Sequence, residues 1–143
     1  MTRVSFHFNV PQRLVYACRL LRKATRQNAR VTVTGDRVAL AELDRALWSF
    51  EPTEFIPHVL LREEETLSER LHDTPVCLTA NPVRAPHHGV LVNLGNEPPA
   101  GFESFERLIE IVSIDETDRA AARARWKHYA ARGYEIEKHE VEA

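Results

Sequence analysis

Apolar and polar positions alternate over residues 3–9 (RVSFHFN), a period of two rich in Val and Phe that predicts a strand. The period then changes. Leu14, Val15, Cys18, Leu21 and Ala24 recur at helical spacing. Pro11 suits the first turn of that helix because its missing N–H is not needed there, and Asn9 stands where a cap would fall. Residues 30–34 (RVTVT) predict a second strand, Gly35-Asp36 a turn, and Asp36 the cap of a helix running to about Trp48. Pro52 and Pro57 bracket a short extended segment around Phe55 and Ile56. Residues 62–72 are polar and acidic and read as a surface excursion. Two Val- and Leu-rich strands follow at 75–79 and 89–94, joined by a loop at 81–88 that carries Pro and His. The turn at 96–101, with Pro98-Pro99, leads into a short helical stretch near 102–105, and 108–114 is another strong strand. Residues 115–132 form a long helix with six alanines, and Gly133 falls at the left-handed cap position. Residues 134–141 alternate again and close the sheet.

Strand, helix, strand, helix at the start implies right-handed crossovers. The predicted class is therefore α/β, a three-layer arrangement with a largely parallel sheet and helices on both faces, Rossmann-like in outline. No internal repeat, low-complexity tract or linker interrupts the chain, so residues 1–143 are expected to form one domain.

Composition adds limits. The apolar fraction of 43% and charged fraction of 28% are those of an ordinary soluble domain. A net charge of −2 argues against a surface that binds nucleic acid all over, while leaving room for a local basic patch. The first ten residues lack the apolar run of a signal peptide, and no stretch approaches the roughly 18 apolar residues of a membrane span, so a cytoplasmic location and no membrane contact are expected. Cys18 and Cys77 each sit inside an apolar run and read as reduced core residues.

An α/β chain invites a search for a nucleotide site. The turn after the first strand is Asn9-Val10-Pro11-Gln12, without a glycine to let backbone N–H groups approach a phosphate, and Gly35 has no Lys-Ser or Lys-Thr beside it. No dinucleotide or P-loop site is expected, and no cofactor. His87 and His88 are adjacent and outside any spaced Cys/His cluster, so they read as a polar loop entering a strand, with no metal expected. The consecutive glutamates 63–65 do not converge on one atom. No catalytic residue is assigned. The alternative, a nucleotide- or nucleic-acid-binding α/β enzyme on the same scaffold, would have been supported by a glycine-rich first turn.

The last helix is the informative element. At about 100° per residue, Arg119, Arg123, Trp126 and Lys127 fall within an arc of about 100°. The bland alternative is a solvated face whose arginines pair with Asp115, Glu116 and Asp118. An indole set among three cations argues for something that docks. Such a stripe suits an acidic peptide with an apolar end, or a single strand stacked on Trp126, and the net charge favours the peptide. Alanines 120, 121, 122 and 124 lie mostly off the stripe and are expected to keep the helix slim against the sheet.

The run 43–50 (LDRALWSF), followed by 55–58 (FIPH), resembles the central signature of the DNA polymerase III chi subunit family. Residues 121–134 (AARARWKHYAARGY) resemble that family's C-terminal helix and the turn after it, and 90–94 and 105–111 fit in register between them. The resemblance implies a non-catalytic accessory subunit of the clamp loader, acting in DNA replication. It implies docking of the acidic, apolar-ended C-terminal tail of single-stranded-DNA-binding protein on Val112, Arg119, Arg123, Trp126 and Lys127. Arg123 would meet the terminal carboxylate, Val112 and the Trp126 ring the apolar end, and Arg119 and Lys127 the acidic residues upstream. Position 126 is more often tyrosine in the family. A second surface, Trp48 and Phe55 flanked by Phe50, Pro57 and His58, would hold the psi subunit. A repair helicase is a further implied partner of that face, and DNA would be reached only indirectly. Without the resemblance, Trp48 and Phe55 would read as core residues closing the second helix.

Overall fold

A computed structural model of the chain describes residues 1–50, 55–61 and 73–141. Seven strands form one sheet: β1 (Arg3–Val10), β2 (Val31–Thr34), β3 (His58–Leu61), β4 (Val76–Thr79), β5 (Val90–Asn93), β6 (Arg107–Ser113) and β7 (Ile136–Glu140). Their order is β3-β4-β2-β5-β6-β1-β7 and every pairing is parallel. Three helices, α1 (Arg13–Arg26), α2 (Arg37–Ser49) and α3 (Glu116–Ala131), complete the three layers. The four residues of β2 and of β4 are all buried, as a strand covered on both sides requires, whereas β7 is mostly exposed at the edge.

The alternation of β6 divides the core. Ile109 and Ile111 join the cluster under α1 and α2, which also holds Cys18, Leu21, Leu40, Leu43 and Leu47. Leu108 and Val112 face the other way, into a cluster with Val4, Phe6, Phe102, Ala122 and Tyr129 under α3. Cys18 and Cys77 are buried and free, and burial pushes both thiols up to about 11.

Asp36 caps α2 as expected, its carboxylate accepting from Ala39 N at 2.7 Å. Gly133 ends α3 at φ 81, the left-handed region that a β-carbon disfavours. Three expectations are corrected. Asn9 does not cap α1: the N-cap is Gln12, and Pro11 precedes the helix and is outside its first turn. Asn9 instead adopts φ 67 where the β1–β6 register shifts, and its amide donates to Glu140 Oε1 at 3.1 Å. The segment after Phe55 continues into a strand, β3, that the sequence pattern did not reveal, because His58–Leu61 shows no alternation. Thirdly, Ala120 and Ala124 face solvent, and the face that α3 lays on the sheet is Asp118, Ala122, Arg125 and Tyr129. The expected excursion at 62–72, with its glutamates, lies outside the described residues.

His87 and His88 are taken up locally. His87 Nε2 lies 3.3 Å from Thr74 O, and His88 stacks on Phe105 with ring centroids 4.4 Å apart. Among the described residues no group of His, Cys, Asp or Glu could hold a metal, and no helix is long and apolar enough to cross a membrane.

Candidate docking site and family

The cleft beside α3 begins with how that helix is seated. Asp115 accepts from Thr117 N, and Asp118 Oδ2 accepts from Ser113 N at 2.7 Å, so the β6–α3 turn is tied at both ends. One turn further in, Glu110 of β6 is wholly buried beneath the helix. It accepts from Arg125 Nε at 3.0 Å, from Tyr129 Oη at 2.5 Å and from Asn93 Nδ2 at 3.1 Å. Arg125 also donates to Asn96 O at 3.2 Å. Burial raises the Glu110 pKa, opposed first by the Arg125 charge and then by the hydrogen bonds of Tyr129, Asn93 and Arg125. Burial and the neighbouring Glu110 charge likewise push the Tyr129 phenol upward. The pattern of cations on α3 could not separate Arg125 from the exposed arginines beside it, because its partner comes from another strand.

With the 118, 122, 125 and 129 face pinned down, the stripe of Arg119, Arg123, Trp126 and Lys127 borders a cleft of about 500 Å³. Val112 lies in its lining at 4% exposure. All five residues named from sequence therefore meet in one concavity. Phe6 and Phe8 of β1 and Lys138 of β7 join them. These three were missed. The alternation of β1 does put Phe6 and Phe8 on one face, but nothing local says that face lies under α3. Lys138 arrives only because β7 pairs with β1, with Phe6 opposite Lys138. The half-buried Trp126 ring packs on Phe6 at a centroid distance of 5.0 Å, and Lys138 Nζ stands 5.5 Å from its centroid.

Arg123 is engaged, donating to Glu116 Oε1 at 2.7 Å. Both side chains are exposed. That hydrogen bond and the Arg123 charge hold the Glu116 carboxyl below its usual range. An exposed pair of this kind is weak and salt-screened, so an arriving carboxylate competes with Glu116 on nearly equal terms. Arg119 and Lys127 carry no ion pair among the described residues.

The second set of residues lies at the end of α2 and the start of β3. Trp48 is 64% exposed and Phe55 57%, with ring centroids 5.1 Å apart. Trp48 and Phe55 are thus surface residues and not core closures. His58 meets the Trp48 ring edge-on at 5.1 Å, donates from Nδ1 to Ile56 O, and sets Nε2 3.1 Å from Asp44 Oδ1. Phe50, half-buried, carries the Arg22 guanidinium 5.1 Å over its ring, and Pro57 is also half-buried. Two exposed aromatic rings packed against each other and against a buried imidazole form an apolar patch.

Residues 1–137 match the family model described as DNA polymerase III chi subunit, HolC. The chain belongs to the chi subunit family of DNA polymerase III. It is 35% identical to the DNA polymerase III subunit chi of Pseudomonas aeruginosa, over 99% of this chain and 98% of that one. It is 30% identical to the chi subunit of Haemophilus influenzae, over 84% and 81% respectively. By family, then, it is an accessory subunit in DNA replication. The chi chain also shares its fold with the C-terminal domain of S. cerevisiae Dbp5, with a TM-score of 0.58 at 11% identity, covering 100% of this chain and 92% of that one. That likeness concerns the fold alone.

Proposed function

We propose that this chi-family chain is a non-catalytic adaptor with two docking faces, one for the C-terminal tail of single-stranded-DNA-binding protein and one for the psi subunit of the clamp loader. The observation that carries the reading is the α3 cleft, an apolar floor of Val112, Phe6 and Phe8 rimmed by Arg119, Arg123 and Lys127 with the Trp126 ring between. An acidic peptide ending in apolar side chains matches that order of chemistry. Its terminal carboxylate meets Arg123 as Glu116 is displaced, its apolar end buries on Trp126 and Val112, and its upstream acids meet Arg119 and Lys127. The exposed Trp48–Phe55 patch is the face offered to psi, or to a repair helicase where one uses the same surface. At these two faces DNA is reached through the bound partners.

The test is a fluorescence titration with the tail peptide of the host single-stranded-DNA-binding protein, in a Trp48→Phe background so that Trp126 alone reports. Saturable binding that weakens with salt is expected. Arg123→Ala is expected to lose about 1.5–3 kcal/mol of affinity, the scale of a hydrogen bond to a charged group. Undiminished binding by Arg123→Ala would remove the carboxylate contact. No binding to the unaltered cleft, with ATP-dependent protection against thermal unfolding, would favour the nucleotide-binding alternative instead.

A further inference from the structure

The N-terminal quarter of the chain carries a charge pattern that the α3 cleft does not use. Residues 1–35 hold seven Lys and Arg and no Asp or Glu, whereas residues 36–143 hold 12 and 21. Five of the seven lie on α1, which has no acidic residue at all. The net charge of −2 conceals a basic segment.

The fold shapes part of that segment into a groove of about 560 Å³ on the face of the sheet opposite the α3 cleft. Its helical wall runs along α1 from Tyr16 through Arg19 and Lys23 to the C-cap Gln27, and its strand wall includes Arg107 of β6 and His139 of β7. Arg19 and Lys23 are four residues apart and stand one above the other on the helix. Arg19, Lys23 and Arg107 carry no ion pair among the described residues, and Glu137 is the one acid in the lining. Ser5, 3% exposed in the same lining, has a buried hydroxyl with no protein partner.

We propose that this groove holds the phosphodiester backbone of single-stranded DNA directly. The cations stand on three elements, Arg19 and Lys23 on α1, Arg107 on β6 and Lys138 on β7, a distribution that suits a chain of spaced phosphates better than one compact dianion. The helix end at the groove is also a C-terminus. Its partial negative charge disfavours a dianion seated against backbone groups, so recognition falls to long side-chain cations. The half-buried Tyr16 and the exposed His139 place rings for unpaired bases beside the cations. Lys138 borders both this groove and the α3 cleft, so a strand here would run along β7, next to a docked tail.

The probe is a fluorescently labelled thymidine oligonucleotide of about 16 nucleotides, the upper end of single-strand site sizes, read by anisotropy across a salt series. Saturable binding to the unaltered protein is expected. The Arg19→Ala/Lys23→Ala variant should bind more weakly, with a log–log salt slope shallower by about 1.4, at roughly 0.7 per phosphate contact. Both residues are exposed on the helix, so the variant should keep the far-UV circular dichroism and the tail-peptide affinity of the parent. An unchanged slope in that variant overturns the proposal, as does loss of binding in Arg119→Ala/Arg123→Ala alone, which would move the strand to the α3 cleft. A duplex of the same length bound equally well, or full competition by inorganic phosphate at matched ionic strength, overturns it too.

Discussion

His7 lies on β1 with its ring 4.9 Å from His139, hydrogen-bonded through Nδ1 to the Tyr16 hydroxyl. Burial, then the charges of His139 and Arg107, lower its pKa from 6.5 to about 4. In the unfolded chain the imidazole takes up a proton below about pH 6.5, while in the folded chain it stays neutral to about pH 4. The unfolded state therefore binds more protons across that window, and folding stability falls as pH drops through it. A His7→Gln variant should flatten this part of the stability profile, measured by urea unfolding at pH 7, 6, 5 and 4. An unchanged profile would place the proton uptake elsewhere. Sequence named His7 only as one letter of an alternating strand. Its pKa is set by burial and by His139 and Arg107, which arrive from the two neighbouring strands.

At the scale of the element, α3 was legible in its length, its C-terminal glycine and its cationic stripe, since each depends on neighbours within four residues. Its seating was not. The buried partner of α3 is Glu110, 15 residues before Arg125. Asn93 and Tyr129 complete the carboxylate's hydrogen bonds. Removing one member of such a pair leaves a charge buried and uncompensated, whereas replacing both with apolar groups can be neutral. Arg125→Ala should cost about 3–5 kcal/mol in denaturant unfolding, and a Glu110→Leu/Arg125→Met double variant should recover much of it. A single-variant loss below about 1 kcal/mol would show that α3 is held by its apolar contacts alone.

At the scale of the whole molecule, the sheet order sets how far apart the two proposed docking faces lie. β3, beside the Trp48–Phe55 patch, and β7, beside the α3 cleft, are opposite edge strands. Six interstrand spacings of about 4.8 Å set them roughly 29 Å apart. Effects at such a separation add independently. Trp48→Ala should thus leave tail affinity unchanged and, the ring being exposed, shift folding stability by no more than about 1 kcal/mol, while abolishing co-elution with psi. Unfolding of Trp48→Ala would return that residue to the core. What the sequence by itself determined is what short-range periodicity can encode: a strand–helix succession, an α/β class without a phosphate loop, the stripe on α3, and a likeness to the chi family carried by contiguous runs. Only the tertiary structure decided that β7 lies beside β1, which brings Phe6, Phe8 and Lys138 to the stripe. It also decided that Arg125 is buried while Trp48 is exposed. The physical reason is that periodicity reports which residues share a face of one element, while burial depends on which elements pack together. That choice rests on apolar area and buried polar pairs contributed by residues far apart in the chain.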